Sequence, residues 1–484
     1  MTHNAVQTVP NEILEAIFDD CCDTNLFSSV NATITSSLRE IPALTLSSVC
    51  TRWRRVGLAL SRIWSRISLE HSGDSFMEDQ LLEYRLSATL TTFISRSRQQ
   101  PLIISICLDD SLAPDIWGSY EPFCILSREH QRWSNFAFQS ENWMVHHLFI
   151  SPDSLLRVDA FPMLVDLNLP LDDTLTFFIG RAPSLRRLKL TSALPCYDRW
   201  EIPSLSPLAQ LEHLRLDTIW SLVVKGRLIE LSALRSLDVN DYVDDWDLDW
   251  LYDDYDDFKS VPPTVYPSVE VLNVRHHEDG SSDSIFPFLT LPSLKTLCID
   301  CGQGFVERHH LWRSFDALMA FVKRSSFPLT TLCIKCVALP DSKLIYLLHR
   351  IPTLLNLAIM DPIVKDRKGL IPITGRFLQS LYVGTGSLFQ PTTPLVPRLR
   401  CLTLSVGERL FVPTEVLGLV KSRSAHGSKS GVDCLQSLTI IFRGQTKVPG
   451  AYDALNGIKK DDMKITVFCS NNAADFELYM PKYQ

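Results

Sequence analysis

Ala182-Pro183-Ser184-Leu185-Arg186-Arg187-Leu188-Lys189-Leu190 is the stretch that decides how this chain folds. Its aliphatics fall at Leu185, Leu188 and Leu190, a step of three followed by a step of two. In an extended backbone successive side chains alternate between faces, so Leu188 and Leu190 share one face while Arg187 and Lys189 take the other. One such strand is too short to stabilise itself and needs a neighbour.

Neighbours are supplied by repetition. The pattern occurs eleven times: FPMLVDLNL ending at Leu169, APSLRRLKL at Leu190, LAQLEHLRL at Leu216, LSALRSLDV at Val239, YPSVEVLNV at Val274, LPSLKTLCI at Ile299, FPLTTLCI at Ile334, IPTLLNLAI at Ile359, GRFLQSLYV at Val383, VPRLRCLTL at Leu404 and VDCLQSLTI at Ile440. Counted on the first aliphatic from Leu164 to Leu435, the intervals are 21, 26, 23, 35, 25, 35, 25, 24, 21 and 36 residues. Seven of these ten fall in the leucine-rich-repeat range of about 20 to 29 residues, and the three long ones mark insertions. Stacked copies pair their backbones and bury the aliphatic rows as a continuous core, which predicts an α/β solenoid with a curved parallel sheet and an open concave face. Return helices are predicted over Asp316 to Lys323, Asp341 to Arg350 and Thr414 to Lys421, the last with Pro413 at its entry.

Outward from the repeats, composition narrows the function classes. A chain of 484 residues that is 45% hydrophobic buries a large core, as several domains or one elongated array. With 21% charged residues and a net charge of -8 it lacks the uniform basic surface of a non-specific nucleic-acid binder. The start, Met1-Thr2-His3-Asn4, has neither a basic nor an apolar leader region, and apolar runs such as Leu102 to Leu108 fall short of a membrane span. A soluble protein without nucleic-acid or membrane partners is expected, in the cytoplasm or the nucleus. The 13 cysteines, odd in number and irregularly spaced, fit free thiols in a reducing compartment.

Before the repeats, Pro10 to Phe18 reads as an amphipathic helix with Ile13, Leu14, Ile17 and Phe18 apolar and Pro at the entry. Leu46 to Val56 reads as a second helix, on which Leu46, Val49, Trp53 and Val56 share a face. Ile63, Trp64, Ile67 and Leu69 close a small apolar cluster. VPNEILEAIF and, after it, SSVCTRWRRVGLALSRIWSRISL resemble the F-box-like motif of a large fungal family. FISRSRQQPLIISI from Phe93 to Ile106, with Arg132-Trp133, is similar to the next segment of that family. The resemblance implies that the head binds a Skp-type adaptor of a cullin-RING ubiquitin ligase while the repeats present a client protein. By position it implies an adaptor surface formed or supported by Val9, Pro10, Ile13, Leu14, Ile17, Val49, Cys50 and Trp53. Read from the residues alone, Leu46, Val49, Trp53 and Trp64 equally suit the core of a helical cap on the first repeat. The domain organisation expected is an F-box-like helical domain over 1–75, a linker helix with capping or degenerate first repeats over 76–150, and the solenoid over 151–484.

Signatures of catalysis are missing from the sequence. There is no GxxxxGK[ST], GxGxxG, GxSxG or HExxH, and a non-catalytic chain without cofactor is expected. Cys298-Ile299-Asp300-Cys301 and Cys333-Ile334-Lys335-Cys336 form two CxxC pairs, but 31 residues separate them. Positions i and i+3 of a strand also face opposite ways, so Cys298 and Cys333 are expected side by side as thiols with no metal. His276-His277 and His309-His310 are expected as exposed loop histidines, and Gly384-Thr385-Gly386 as a turn.

In this register the outward residues can be read strand by strand. Positive charge gathers at Arg187, Lys189, His213 and Arg215, a candidate client surface for an acidic or phosphorylated peptide. The competing reading is scattered surface charge balanced by acids such as Asp166 and Asp238. The insertion at about 241–258, dense in Asp and aromatics, reads either as an acidic lid over that patch or as a solvated loop.

Overall fold

The computed structural model describes residues 9–28, 40–71, 80–108, 121–140, 159–170, 173–191, 205–217, 227–241, 262–276, 285–302, 312, 314–362, 371–383, 394–407, 413–425, 431–448, 450–452, 455, 463–470 and 472–479. The acidic insertion, apart from Asp241, lies outside them, as do His277, His309, His310 and residues 384–386. Two compact units emerge, Met1–Leu214 with Glu230–Ala233, and Arg215–Ile229 with Leu234–Gln484.

The first unit opens with helix α1 (Asn11–Cys21), strand β1 (Leu26–Ser28), helices α2 (Pro42–Ser48) and α3 (Thr51–Ala59), and strand β2 (Arg66–His71). Then come α4 (Gln80–Ser97), β3 (Leu102–Leu108), α5 (Glu121–Ser127), β4 (Trp133–Ser140), β5 (Asp166–Pro170), α6 (Asp173–Phe178) and β6 (Arg187–Thr191). Strand β7 (His213–Asp217) is next, its first two residues belonging to this unit. From β1 to β6 each strand pairs in parallel with its successor, and one row runs through Ile67, Ile104, Phe136, Leu167 and Leu188. Every member of that row is at most 2% exposed, because in-register stacking removes both neighbours' flanks from water. Leu214, in β7, is buried to the same degree as Leu188.

Helices α1, α2 and α3 pack on one another, and one side chain ties the group to the start of β2. The Asn25 amide donates to Ile63 O at 2.8 Å and Arg66 O at 2.9 Å, and its oxygen accepts from Ala43 N at 3.1 Å. At 0% exposure these three bonds satisfy groups that would otherwise be buried unpaired. The single helix expected over Leu46 to Val56 is two. Cys50 is extended, at φ -158 and ψ 170, and its sulfur accepts from Trp53 N at the start of α3. Polar Ser47-Ser48 and the capping Cys50 break the backbone ladder there, so Val49 leaves the common face and becomes exposed.

The second unit holds β8 (Ser236–Asp241), β9 (Thr264–Val265), β10 (Val271–His276), β11 (Leu289–Thr290) and β12 (Thr296–Asp300), then α7 (Phe315–Ser325), β13 (Thr331–Lys335), α8 (Asp341–His349) and β14 (Asn356–Met360). It continues with α9 (Gly375–Ser380), β15 (Cys401–Val406), α10 (Pro413–Ala425), β16 (Ser437–Phe442), β17 (Lys464–Cys469) and α11 (Ala473–Leu478). The short parallel β9–β11 pair forms a sheet of its own; the other strands are parallel and in register, with Leu237, Leu272, Leu297, Leu332, Leu357, Leu402, Leu438 and Ile465 aligned. The return helices expected at 316, 341 and 414 are α7, α8 and α10.

Ten of the eleven copies are strands; GRFLQSLYV is not. Its first six residues form α9, and the ladder steps from β14 directly to β15. Phe377, Leu378 and Leu381 also satisfy the i, i+1, i+4 spacing of a helix, and Thr374 decides between the two by accepting from Phe377 N at 3.1 Å as N-cap. Beyond the repeats counted, β1 to β4 and β17 extend the ladders without the full motif. Among the described residues no helix is long and apolar enough to cross a membrane.

Candidate functional site

Two surfaces gather the residues of interest, one on the head and one on the sheet of the second unit. On α1 the core-facing side chains are Leu14 at 1% and Phe18 at 0% exposure, and Val56, Ile63 and Trp64 of the head are buried as well. Ile13 and Ile17, one turn apart, point the other way at 52% and 42% exposure, and Val49 stands at 58%. Helix α1 is therefore apolar on a wider arc than its own core uses. Arg52 draws the elements together, its Nη2 donating to Asn11 Oδ1 at 2.9 Å and also to Val9 O, so the entry of α1 sits against α3. Pro10 and Cys50 are exposed, Val9 is half-buried, and half-buried Trp53 meets Phe18 edge-on at 5.1 Å. Of the eight residues named from the sequence, Leu14 is core and the others are wholly or partly open to solvent.

The basic residues are locally paired. Arg187 Nε donates to Asp166 Oδ2 at 2.8 Å, from the strand position directly alongside. Arg215 Nε reaches Asp217 Oδ1 at 3.0 Å, and Arg186 pairs with Glu212. His213 is exposed and Lys189 half-buried. Exposed pairs of this kind contribute little to stability, but they reduce the net positive field that an acidic peptide would meet.

On the second unit, the sheet face opposite the aliphatic rows changes character along the ladder. Asp238 and Asn273 are half-buried, whereas Thr296, Cys298, Thr331, Cys333, Ala358, Thr403 and Thr439 are all buried. Among the described residues, 472–479 cover part of this face. Phe476, at 1% exposure, joins Cys298, Cys333, Cys336, Ala358, Met360 and Ile441 in one apolar cluster. Glu477 Oε1 lies 2.7 Å from Lys335 Nζ, Thr403 Oγ1 donates to Tyr479 O at 3.3 Å, and the Tyr479 ring meets Phe468 at 5.1 Å. Sequence reasoning assigned this face to solvent. The signal was present, since TLCIK, NLAIM and SLTIIF are near-continuous apolar runs of the kind that parallel strands covered on both sides show.

Within that cluster the thiols are arranged by register. Cys298 and Cys333 are direct partners across β12 and β13, side by side as expected. Hydrogen bonding from Cys333 holds the Cys298 thiol below its ordinary value against the opposing effect of burial, and the same bond, with burial, holds Cys333 protonated. Cys336, two residues past the inward-facing Ile334, joins the Cys333 cluster instead because its backbone turns left-handed, at φ 55. Its Sγ is 3.5 Å from Met360 Sδ, and burial pushes its thiol up to about 11. Among the described residues no group of three or more His, Cys, Asp or Glu is placed to hold a metal ion. Burial works against charge on Lys335, yet its hydrogen bond to Glu477 and the nearby thiols raise its pKa overall. His276 departs from expectation: it ends β10 at 5% exposure, with its ring 5.9 Å from Trp312 and 6.3 Å from Phe286. A histidine at an even strand position is carried inward with the aliphatic row, so register overrides its polarity.

No protein-family model matches the chain, and no curated protein matches it in sequence. Among solved structures it is similar to the Toll–Spatzle complex of Drosophila at 14% identity and a TM-score of 0.27, over 76% of this chain and 40% of that one. The chain thus spans less than half the length of that neighbour.

Proposed function

We propose that this chain is a non-catalytic recognition subunit of a cullin-RING ubiquitin ligase, docking a Skp-type adaptor through its helical head and holding a client protein on its repeats. The observation that carries the reading is the exposure of Ile13, Ile17 and Val49 on a head whose core is already filled by Leu14, Phe18, Val56, Ile63 and Trp64. Large aliphatics left in water beside a complete core suit a docking surface, since nothing inside the head requires them. The F-box-like spacing of VPNEILEAIF and VCTRWRRV supports the same partner. No reacting group is needed: a receptor of this kind acts by raising the effective concentration of its client near a charged enzyme brought by the partners.

The test is capture of a purified Skp-type adaptor by the full chain and by the Ile13→Glu/Ile17→Glu variant. Because both side chains are exposed, folding measured by circular dichroism should be unchanged, while affinity should fall at least about tenfold. Equal capture by the variant would remove the assigned surface. Failure of the unaltered chain to capture the adaptor would favour a repeat scaffold outside any ligase.

A further inference from the structure

The segment over residues 472–479 lies across β12 to β17. Phe476 is its one fully buried side chain among those described, while Glu477, Leu478 and Tyr479 are exposed, Leu478 by 71%. Its further contacts with the strands include the Glu477–Lys335 ion pair, a 3.3 Å hydrogen bond from Thr403 to Tyr479 O and the Tyr479 ring against Phe468 at 5.1 Å. Cys298, Cys333, Ala358, Met360 and Ile441 give a smooth apolar floor, and the Lys335 ammonium sits at its edge with Asp300 Oδ2 4.0 Å away. Such a floor is not required by the solenoid core, which the aliphatic rows complete on the opposite face. Leu478 stays in water, so Phe476 on the floor and Glu477 on the cation are the segment's central contacts.

We propose that this face of the second unit is a peptide-binding surface, occupied in cis by residues 472–479, and that its ligand is a short acidic segment bearing an aromatic residue followed by a carboxylate. The aromatic ring takes the place of Phe476 over the thiol-lined floor, and the carboxylate takes the place of Glu477 on Lys335. Binding of such a client displaces the chain's own segment, so the cis contact sets a threshold that a competitor must exceed. The proposal rests on the reading that the repeats hold a client, and it names that client's chemistry.

The experiment uses the full chain and a fluorescent probe peptide of the segment's own sequence, Asn472 to Tyr479. Phe476→Ala/Glu477→Ala in the chain empties the surface. The opened variant is expected to bind the probe at least about tenfold more tightly than the unaltered chain. This binding is lost when Lys335→Glu is added or when the probe's Phe is replaced by Ala. Absence of probe binding by a folded opened variant overturns the proposal. Should the opened variant not fold, the unaltered chain decides: alkylation of Cys333 under native conditions, read by peptide mass spectrometry, should proceed far faster than amide exchange in β13 and β14. If Cys333 is modified only as fast as those strands open, the segment is fixed core and the proposal fails. Adaptor capture by the head is measured on separate residues, so failure of either reading leaves the other's result readable.

Discussion

Asp361, directly after β14, shows how far one buried group can depart from its type. Its Oδ1 accepts from Ile373 N at 3.2 Å, yet burial dominates and pushes its pKa up to about 8. A carboxyl that binds its proton more tightly folded than unfolded adds stability that is complete below the unfolded value near 4 and is lost as pH rises through about 8. The cost is of order 1 kcal/mol per pH unit across that window. Asp361→Asn should therefore be close to neutral at pH 5 and increasingly stabilising towards pH 9, as measured by Tm at each pH. A pH-independent difference would show that the carboxyl is ionised throughout. Nothing in the local sequence marks this residue, because its surroundings are made by Ile373, Gly407 and Arg443 from three other segments. Cys298 and Cys333 were legible because identical positions in adjacent repeats must become neighbours. Cys336 was not, since a left-handed backbone at a non-glycine is imposed by context.

Among the elements, α9 is where local and periodic signals compete. GRFLQSLYV meets the repeat pattern, but Thr374 caps a helix and also donates to Asp341 Oδ2 at 2.7 Å, tying the start of α9 to the start of α8. Thr374→Ala should cost about 1 to 2 kcal/mol in denaturant unfolding, and Thr374→Ser should recover most of it. A cost near zero for Ala would mean that tertiary packing of Phe377 and Leu378 alone holds the helix. In the head the balance runs the other way. Its helix-forming pattern was plain, but which apolar residues face inward depends on a break at Cys50 and on the direction from which α3 approaches α1. Hence Ile13 and Leu14, adjacent in sequence, take opposite fates.

For the ladder of the second unit, each strand depends on its two neighbours, and stability is expected to propagate locally. Leu357, 1% exposed, lies between Leu332 and Leu402 in the aligned row. Leu357→Ala should cost about 2 to 5 kcal/mol, and amide exchange should accelerate in β13, β14 and β15 well before β8. Uniform acceleration along the unit would indicate a single cooperative block instead of nearest-neighbour coupling.

The strands of ten repeats, their register and inward rows, and three of the helical returns were readable in the chain order, because a period near 24 residues and an alternation of two act through neighbours that this order already names. The apolar excess on the head was readable in the same way. That this face of the second unit's sheet is partly covered was settled only on folding, since residues 472–479 reach side chains as far back in the chain as Cys298 and Cys333. The ion pair between Lys335 and Glu477 joins residues 142 positions apart. Contacts over such separations depend on where the folded strands come to lie, and a local pattern carries no record of them.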